Sequence, residues 1–540
     1  RRFTVHHPDD RRCCHYHHSV DFDFHFRTEA TDPGNVLRSC KGLIPILETG
    51  KHSFPILYMC KYYTQFHPIR RDNIRRKIMK KKTVSLLLVA AMAVGMLAGC
   101  GGGKSSISQD GSSDAAEGNE KAEMADAKDV DGTTITFWHS MGGVNGQAID
   151  TLVKKFNDEN EYGITVEAQY QGEYDDSLNK LKSAQIGNMG ADLVQVYEIG
   201  TRFMIESSWT VPMQEMIDAD NYDVSEIEPN LAAYYTIDNQ LYSMPFNSST
   251  PIMYYNKDML DKAGITEIPD SLEAIDEIGD QLMSKGGAGE VMSLGIYGWF
   301  FEQFIGKQGL DYANNGNGRE KAATAVDFDK NGAAKNILTA WQKLNKDGYA
   351  PIVGKGGDAG LADFSAGKSA ITLGSTASLK QILQDVNGKF EVGTAYFPKV
   401  SSSDEGGVSI GGASLWALNN KDPKKLRATW EFVKFLISPE SQAYWNAQTG
   451  YFPVTTKAHD EQTFKDNIAQ YPQFQTAIDQ LHDSSPEYCG ALLSVFPEAR
   501  ATVESEIESM LNGKEDVDTA VQKMSDSINK AITDYNTVNN

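Results

Sequence analysis

The stretch TITFWHSMGGVNGQAIDTLVKKFNDENEYGITV, residues 134–166, changes its hydrophobic period twice. Thr134 to Trp138 is a run of β-branched and aromatic residues, the composition of a strand. Ile149, Leu152, Val153 and Phe156 then recur at i, i+3, i+4 and i+7, which puts one apolar face on a helix. Ile164-Thr165-Val166 returns to strand chemistry, and another helical stretch leads to the apolar run Leu193 to Tyr197. Strand, helix, strand, helix, strand is the pattern of an α/β fold, in which helices cover a largely parallel sheet.

Toward the C-terminus, Pro251 to Tyr255 and Ala370 to Leu373 read as further strands. Ser409-Ile410 and Ala413 to Leu418, with Gly411 and Gly412 between them, read as one strand interrupted where another backbone comes close. Residues 423–445 predict a single long amphipathic helix carrying Leu426, Trp430, Val433, Phe435 and Leu436. From about residue 497 the chain reads as helix with almost no breakers, and there is no internal repeat.

Toward the N-terminus the character changes. Residues 101–132 are rich in Gly, Ser, Ala and acids and nearly free of large apolar side chains, so they predict a flexible tether. Before them, Lys80, Lys81 and Lys82 precede an apolar stretch from Val84 to Leu97, closed by Leu97-Ala98-Gly99-Cys100. That order is a secretory signal, too short to span a bilayer as a mature helix. Its small residues before Cys100 resemble a bacterial lipobox, which implies cleavage before Cys100, lipidation of its thiol and a lipid-anchored, extracytoplasmic protein. Residues 1–78 hold eight of the eleven histidines and four of the six cysteines, yet no pair has zinc-ligand spacing. This stretch reads as upstream sequence translated in error, with Met79 as the start. After Cys100 only Cys489 remains, so no internal disulfide can form and the core must supply stability.

Net charge is −22, but it is unevenly spread. Residues 1–99 carry 17 basic against 8 acidic side chains, whereas residues 100–540 carry 34 against 65. A body of net charge −31 repels nucleic-acid phosphates and anionic membranes. A small anionic ligand stays open, because a pocket can differ in sign from the whole.

Enzyme motifs are wanting. GLADFSAGKS ends as a P-loop does, but six residues separate Gly360 from Gly367 where four are needed. Asp327 to Gly332 begins like a calcium loop, but its twelfth position is Leu338 instead of Glu. Neither H-E-x-x-H nor G-x-S-x-G occurs, and the body has only His139, His459 and His482. No metal or cofactor is implied.

TITFWHS (134–140), Gly172-Glu173-Tyr174, VQVYE (194–198), MPFNSSTPIMYYNKD (244–258), GGASLWAL (411–418) and QTGYFPV (448–454) occur in an order and spacing that resembles the extracellular solute-binding proteins of ABC importers. Within them the pattern is most similar to the branch that binds sn-glycerol 3-phosphate. The resemblance runs from about residue 133 to the end. It implies a two-lobed, maltose-binding-protein-like fold of the type II periplasmic binding class, with a cleft that closes about a hinge. Residues 133–247 with 397–448 would form lobe one, and residues 248–396 with 449–540 lobe two.

The resemblance also implies ligand-binding residues. Tyr174 matches a binding tyrosine, Glu198 an acid that accepts from glycerol hydroxyls, and Ser249 and Ser375 two donors. Gly412 offers a backbone N–H, and Tyr451 and Arg500 complete the set. The chemistry is coherent: a phosphate ester needs a cation, for which Arg gives a planar charge-assisted contact, and several neutral donors. Taken singly, Arg500 among Glu498, Glu504 and Glu506 also fits an exposed i,i+4 pair. One departure stands out. Where the family pattern is roughly G-W-x-G-W, this chain has Gly295-Ile296-Tyr297-Gly298-Trp299. Ile296 then replaces an indole and loosens the pocket for a larger phosphate substituent, leaving Trp299 or Phe300 to stack on the ligand. The expected function is capture of glycerol 3-phosphate or a glycerophosphodiester by a monomer that passes it to permease subunits. A carbohydrate-importer receptor binding a sugar or oligosaccharide is the alternative, and a secreted glycerophosphodiester hydrolase the rival from another class.

Overall fold

The computed structural model describes residues 123–187 and 190–539. The signal segment, Cys100, the Cys/His-rich start and most of the tether lie outside the described residues.

The strands and helices of the opening stretch form as their periods predict. β1 (Thr134–His139) is followed by α1 (Gly143–Glu159), β2 (Thr165–Tyr170), α2 (Tyr174–Ile186) and β3 (Leu193–Tyr197). α1 buries Ala148, Ile149, Leu152, Val153 and Phe156, the face its spacing marks out. All five residues of β3 are buried, so it is covered on both sides of the sheet and reads as an apolar run broken only by Gln195. β4 (Thr210–Val211) and β5 (Met244–Ser249) complete the first stretch of chain.

At Thr250 the chain leaves this sheet and enters a second. β6 (Pro251–Asn256), β7 (Glu290–Ser293), β8 (Ser369–Ser375) and β9 (Val392–Tyr396) make a four-stranded sheet in the order β9-β6-β8-β7. β10 (Gly411–Leu418) then returns to the first sheet, whose order is β2-β1-β3-β10-β4, with β5 also paired to β10. β1 runs parallel to β2 and β3, whereas β10 is antiparallel to β3, β4 and β5. Helices α3 (Gly298–Lys307) and α4 (Ala333–Lys346) belong with the second sheet. Two α/β lobes result, each with its own open sheet.

Gln480 fastens the two strand crossings together. Its Nε2 donates to Thr250 Oγ1 at 3.0 Å and to the Pro251 carbonyl at 2.7 Å, while its Oε1 accepts from Phe397 N at 2.6 Å. Thr250 and Phe397 are the junction residues of the outgoing and returning strands, so one buried side chain holds both.

Three expectations need correction. Residues 423–445 are two helices, α5 (Pro423–Leu436) and α6 (Pro439–Thr449). The break is at Ile437-Ser438, because Pro439 restricts the residue before it to extended backbone, and the Ser438 hydroxyl accepts from Ser441 N as an N-cap. The C-terminal stretch likewise divides, after α7 (Gln473–Asp483), into α8 (Phe496–Leu511) and α9 (Val517–Asn539). The folded body also begins before residue 133. Val130 is fully buried, Ala127–Asp129 form a 3₁₀ turn, and Ala125 N donates to the Pro423 carbonyl at 3.0 Å. Among the described residues no helix is long and apolar enough to cross a membrane.

Candidate functional site

Between the two sheets lies a cleft of about 860 Å³. Tyr174, Glu198, Ser249, Trp299, Ser375, Gly412 and Tyr451 all line it. They come from seven separate places in the chain, so the fold collects into one cavity what the sequence scatters.

The first lobe's wall is built on strand ends. Glu198 follows β3 directly, and Tyr174 is the first residue of α2. The Tyr174 ring stacks on Tyr197 with centroids 5.2 Å apart, and its hydroxyl accepts from Asn247 Nδ2 at 2.9 Å. Asn247 Oδ1 accepts in turn from Gln195 Nε2 at 2.7 Å, and Gln195 Oε1 accepts from Ser140 N at 2.8 Å. Both amides are buried, so this relay fixes the tyrosine and the Ser140 backbone from behind. Burial, with Tyr451 and Glu198 nearby, pushes the Tyr174 phenol far above its ordinary pKa; it stays a neutral donor.

Gly412 sits where β10 meets β5. Its φ is +92°, and a Cβ there would lie 2.0 Å from the Asn247 carbonyl oxygen. Only glycine allows that approach, and the ladder shifts register between Ala413 and Ser414. The expected close approach is therefore present, although β10 starts at Gly411 and excludes Ser409-Ile410.

Tyr451 follows α6, with its ring stacked on Trp445 at 5.7 Å. Burial raises its pKa as well. Ser375 ends β8, and its hydroxyl oxygen accepts from Ala377 N at 3.1 Å, which leaves the hydroxyl proton to donate into the cleft. Trp299 is 4% exposed, with its indole Nε1 lacking a hydrogen-bond partner; the Ser140 hydroxyl is likewise buried and unpartnered. Unpaired buried donors at a cleft wall are what a polar ligand would satisfy.

Arg500 is not among the cleft-lining residues. It lies directly behind Glu198, to which Nη2 donates at 2.8 Å. Glu302 takes the guanidinium in a bidentate pair, from Nε and Nη2, both at 2.8 Å. The Tyr297 ring centroid is 5.5 Å from the guanidinium carbon. Arg500 is thus 6% exposed and bonded to Glu198 and Glu302, not to the helix-neighbour acids that its spacing suggested. Glu504 accepts from Gly298 N at 3.0 Å and also feels the Arg500 charge. Burial holds Glu302 and Glu504 above the ordinary carboxylate range, against the pull of Arg500.

Ile296 does not face the cleft; it is fully buried, and Tyr297 lines the cleft along with Trp299 and Phe300. The aromatic expected one residue earlier comes from its neighbour, so no aliphatic gap opens there. Sequence reasoning missed Tyr297, Asp358 and Glu302. Gln195 was visible as a lone amide in an otherwise apolar strand.

The sequence profile of the bacterial extracellular solute-binding proteins matches residues 151–476. This chain belongs to that family. The solute-binding protein is 34% identical over 407 residues to the sn-glycerol-3-phosphate-binding periplasmic protein UgpB of Salmonella typhimurium, covering 72% of this chain and 91% of that protein. It is 33% identical over 406 residues to UgpB of Escherichia coli K12, with the same coverage. Among solved structures, UgpB of Mycobacterium tuberculosis in complex with glycerophosphocholine has a TM-score of 0.64 at 22% identity, covering 75% of this chain and 99% of that one. The acarbose-binding GacH receptor of Streptomyces glaucescens gives 0.62 at 20%, covering 74% and 99%. These likenesses place the solute-binding protein in the two-lobed, maltose-binding-protein-like fold.

Proposed function

We propose that this solute-binding protein captures a glycerol phosphate outside the cell and delivers it to the permease of an ABC importer, with a glycerophosphodiester preferred over glycerol 3-phosphate. The observation that carries the reading is Arg500, set behind Glu198 at the wall of a cleft supplied with hydroxyl, indole and backbone donors. Arg500 offers charge for a phosphate, but Glu198 and Glu302 already oppose it. A monoester carries a charge of about −1.5 to −2 near neutrality, whereas a diester carries one. The same cleft is lined by Glu173, Glu198 and Asp358 and by the faces of Tyr174, Tyr297 and Trp299. Carboxylates and aromatic faces suit a cationic head group on the far side of the phosphate. Curated relatives named for glycerol 3-phosphate support the polyol-phosphate class.

Delivery requires no bond-breaking, and we assign the protein no catalytic step. In this reading it acts as a monomer tethered through lipidated Cys100. Calorimetric titration of the full chain with glycerophosphocholine, glycerol 3-phosphate and maltose tests the ligand. The expected order is diester tightest, monoester weaker and sugar absent, with diester binding lost in Arg500→Gln while circular dichroism stays native. Maltose binding indifferent to Arg500→Gln would move the ligand to sugars. Release of free alcohol from the diester would make the protein a hydrolase instead.

A further inference from the structure

A second cavity, of about 350 Å³, shares only Glu198 with the ligand cleft. Its walls come from both lobes: Tyr234 and Ser409 lie on segments flanking the first sheet, whereas Glu302 and Tyr312 belong with the second. Glu302, Asp311 and Glu487 contribute carboxylates, and Tyr234, Tyr312 and Phe496 contribute aromatic surface. None of the described lining residues is Lys, Arg or His. Tyr312 is 3% exposed, its hydroxyl has no hydrogen-bond partner, and it lies within electrostatic reach of Glu302.

Glu198 and Glu302 share the Arg500 guanidinium, and Arg319 lies over the Tyr234 ring at 4.9 Å, whereas Asp311 and Glu487 have no ion-pair partner among the described residues. The cavity therefore keeps net negative charge beside aromatic rings, a complement for a diffuse positive charge. An inorganic divalent ion would need several oxygen ligands converging on one point. Among the described residues no group of three acidic, histidine or cysteine side chains converges in that way. The volume falls in the range of small-molecule sites.

We propose that this second cavity binds a small organic ammonium ion. Its occupancy would reach the ligand cleft through Glu198, which lines both cavities, and through Glu302. Glu302 lines the second cavity and also holds Arg500 by two hydrogen bonds. A cation beside Glu302 shares that carboxylate's charge and leaves more of the Arg500 charge for an anion in the cleft. Linkage is reciprocal, so an anionic ligand in the cleft strengthens ammonium binding by the same factor. This coupling rests on the phosphate reading above; the ammonium site itself does not.

The test is calorimetric titration of the full chain with tetramethylammonium chloride, against sodium chloride of equal concentration. A saturable heat absent from the sodium control is expected. Glu487→Gln, at an exposed position, and Tyr312→Leu should each raise its Kd fivefold or more, while Trp299→Ala in the ligand cleft changes it less than twofold. Saturating tetramethylammonium should also lower the Kd for glycerophosphocholine at least threefold. No saturable heat overturns the proposal, as does a heat abolished by Trp299→Ala but kept in both cavity variants. If glycerophosphocholine fails to bind while the ammonium heat persists, the phosphate ligand is wrong and the second site stands.

Discussion

Arg500 on α8 and Glu198 after β3 meet across the two lobes, Nη2 to Oε1 at 2.8 Å, with both side chains buried. Together with Glu302 they make a group of one cation and two anions. Removing the arginine leaves two buried carboxylates facing each other, a loss of about 3–5 kcal/mol for a broken buried pair. Arg500→Met should therefore lower unfolding free energy by that order in a denaturant titration. Glu302→Gln keeps an acceptor while deleting a charge. It should tighten glycerophosphocholine about threefold to tenfold, an effect of about 0.7–1.4 kcal/mol. Weaker binding in Glu302→Gln would show that Glu302 positions Arg500 more than it neutralises it.

Glu302 and Glu504 give the site a pH dependence. Burial raises both above the ordinary 4.5, with Arg500 opposing. A carboxyl whose pKa is higher folded than unfolded binds more protons in the folded state. Its contribution to stability is therefore fully present below the unfolded pKa and is lost as pH rises through the folded one. Acidifying from neutrality protonates these groups in the native protein and removes negative charge beside Arg500. Glycerophosphocholine keeps its single phosphate charge throughout, so its affinity should rise as pH falls toward the ordinary carboxylate range. In the double variant Glu302→Gln/Glu504→Gln the slope should flatten. Calorimetry across that interval reads both.

Gly412 permits a contact that no other residue allows. Alanine there combines a left-handed backbone with a Cβ 2.0 Å from the Asn247 carbonyl oxygen. Gly412→Ala should cost about 2–4 kcal/mol of stability, in the range of strained core substitutions, and displace β5 with Ser249. Thermal unfolding and ligand titration of one variant should fall together; an unchanged melting temperature refutes the close-packing account.

The Gln195–Asn247–Tyr174 relay is a further target. Asn247→Leu leaves the Gln195 amide without an acceptor and the Tyr174 hydroxyl without its donor. Each orphaned buried group costs about 1–3 kcal/mol. Ligand affinity should fall at least tenfold, because Tyr174 loses its fixed position. Tyr174→Phe alone should lose affinity but little stability, which separates the contact from the relay.

Much of this was legible in the chain. The α1 face follows from Ile149, Leu152, Val153 and Phe156, and the close approach of β10 to β5 from its paired glycines. What escaped has physical causes. The apolar period of 423–445 runs on through Ser438, so periodicity joined two helices that Pro439 separates. Ile296 and Tyr297 differ by one position, and the turn into α3 at Gly298 decides which faces the cleft. Glu302 and Arg500 stand 198 residues apart, and no local spacing connects them. Tertiary packing makes that pair, and only the three-dimensional arrangement reveals it.

Gln480 has a mechanical meaning. Because one amide grips both Thr250 at the outgoing crossing and Phe397 at the returning one, the two segments cannot slide independently. They behave as a pinned joint, and the lobes are left with a swing about that pin in place of a loose drift. Cutting the pin with Gln480→Ala should broaden the spread of interlobe distances recorded by spin labels on α1 and α4, even with no ligand present.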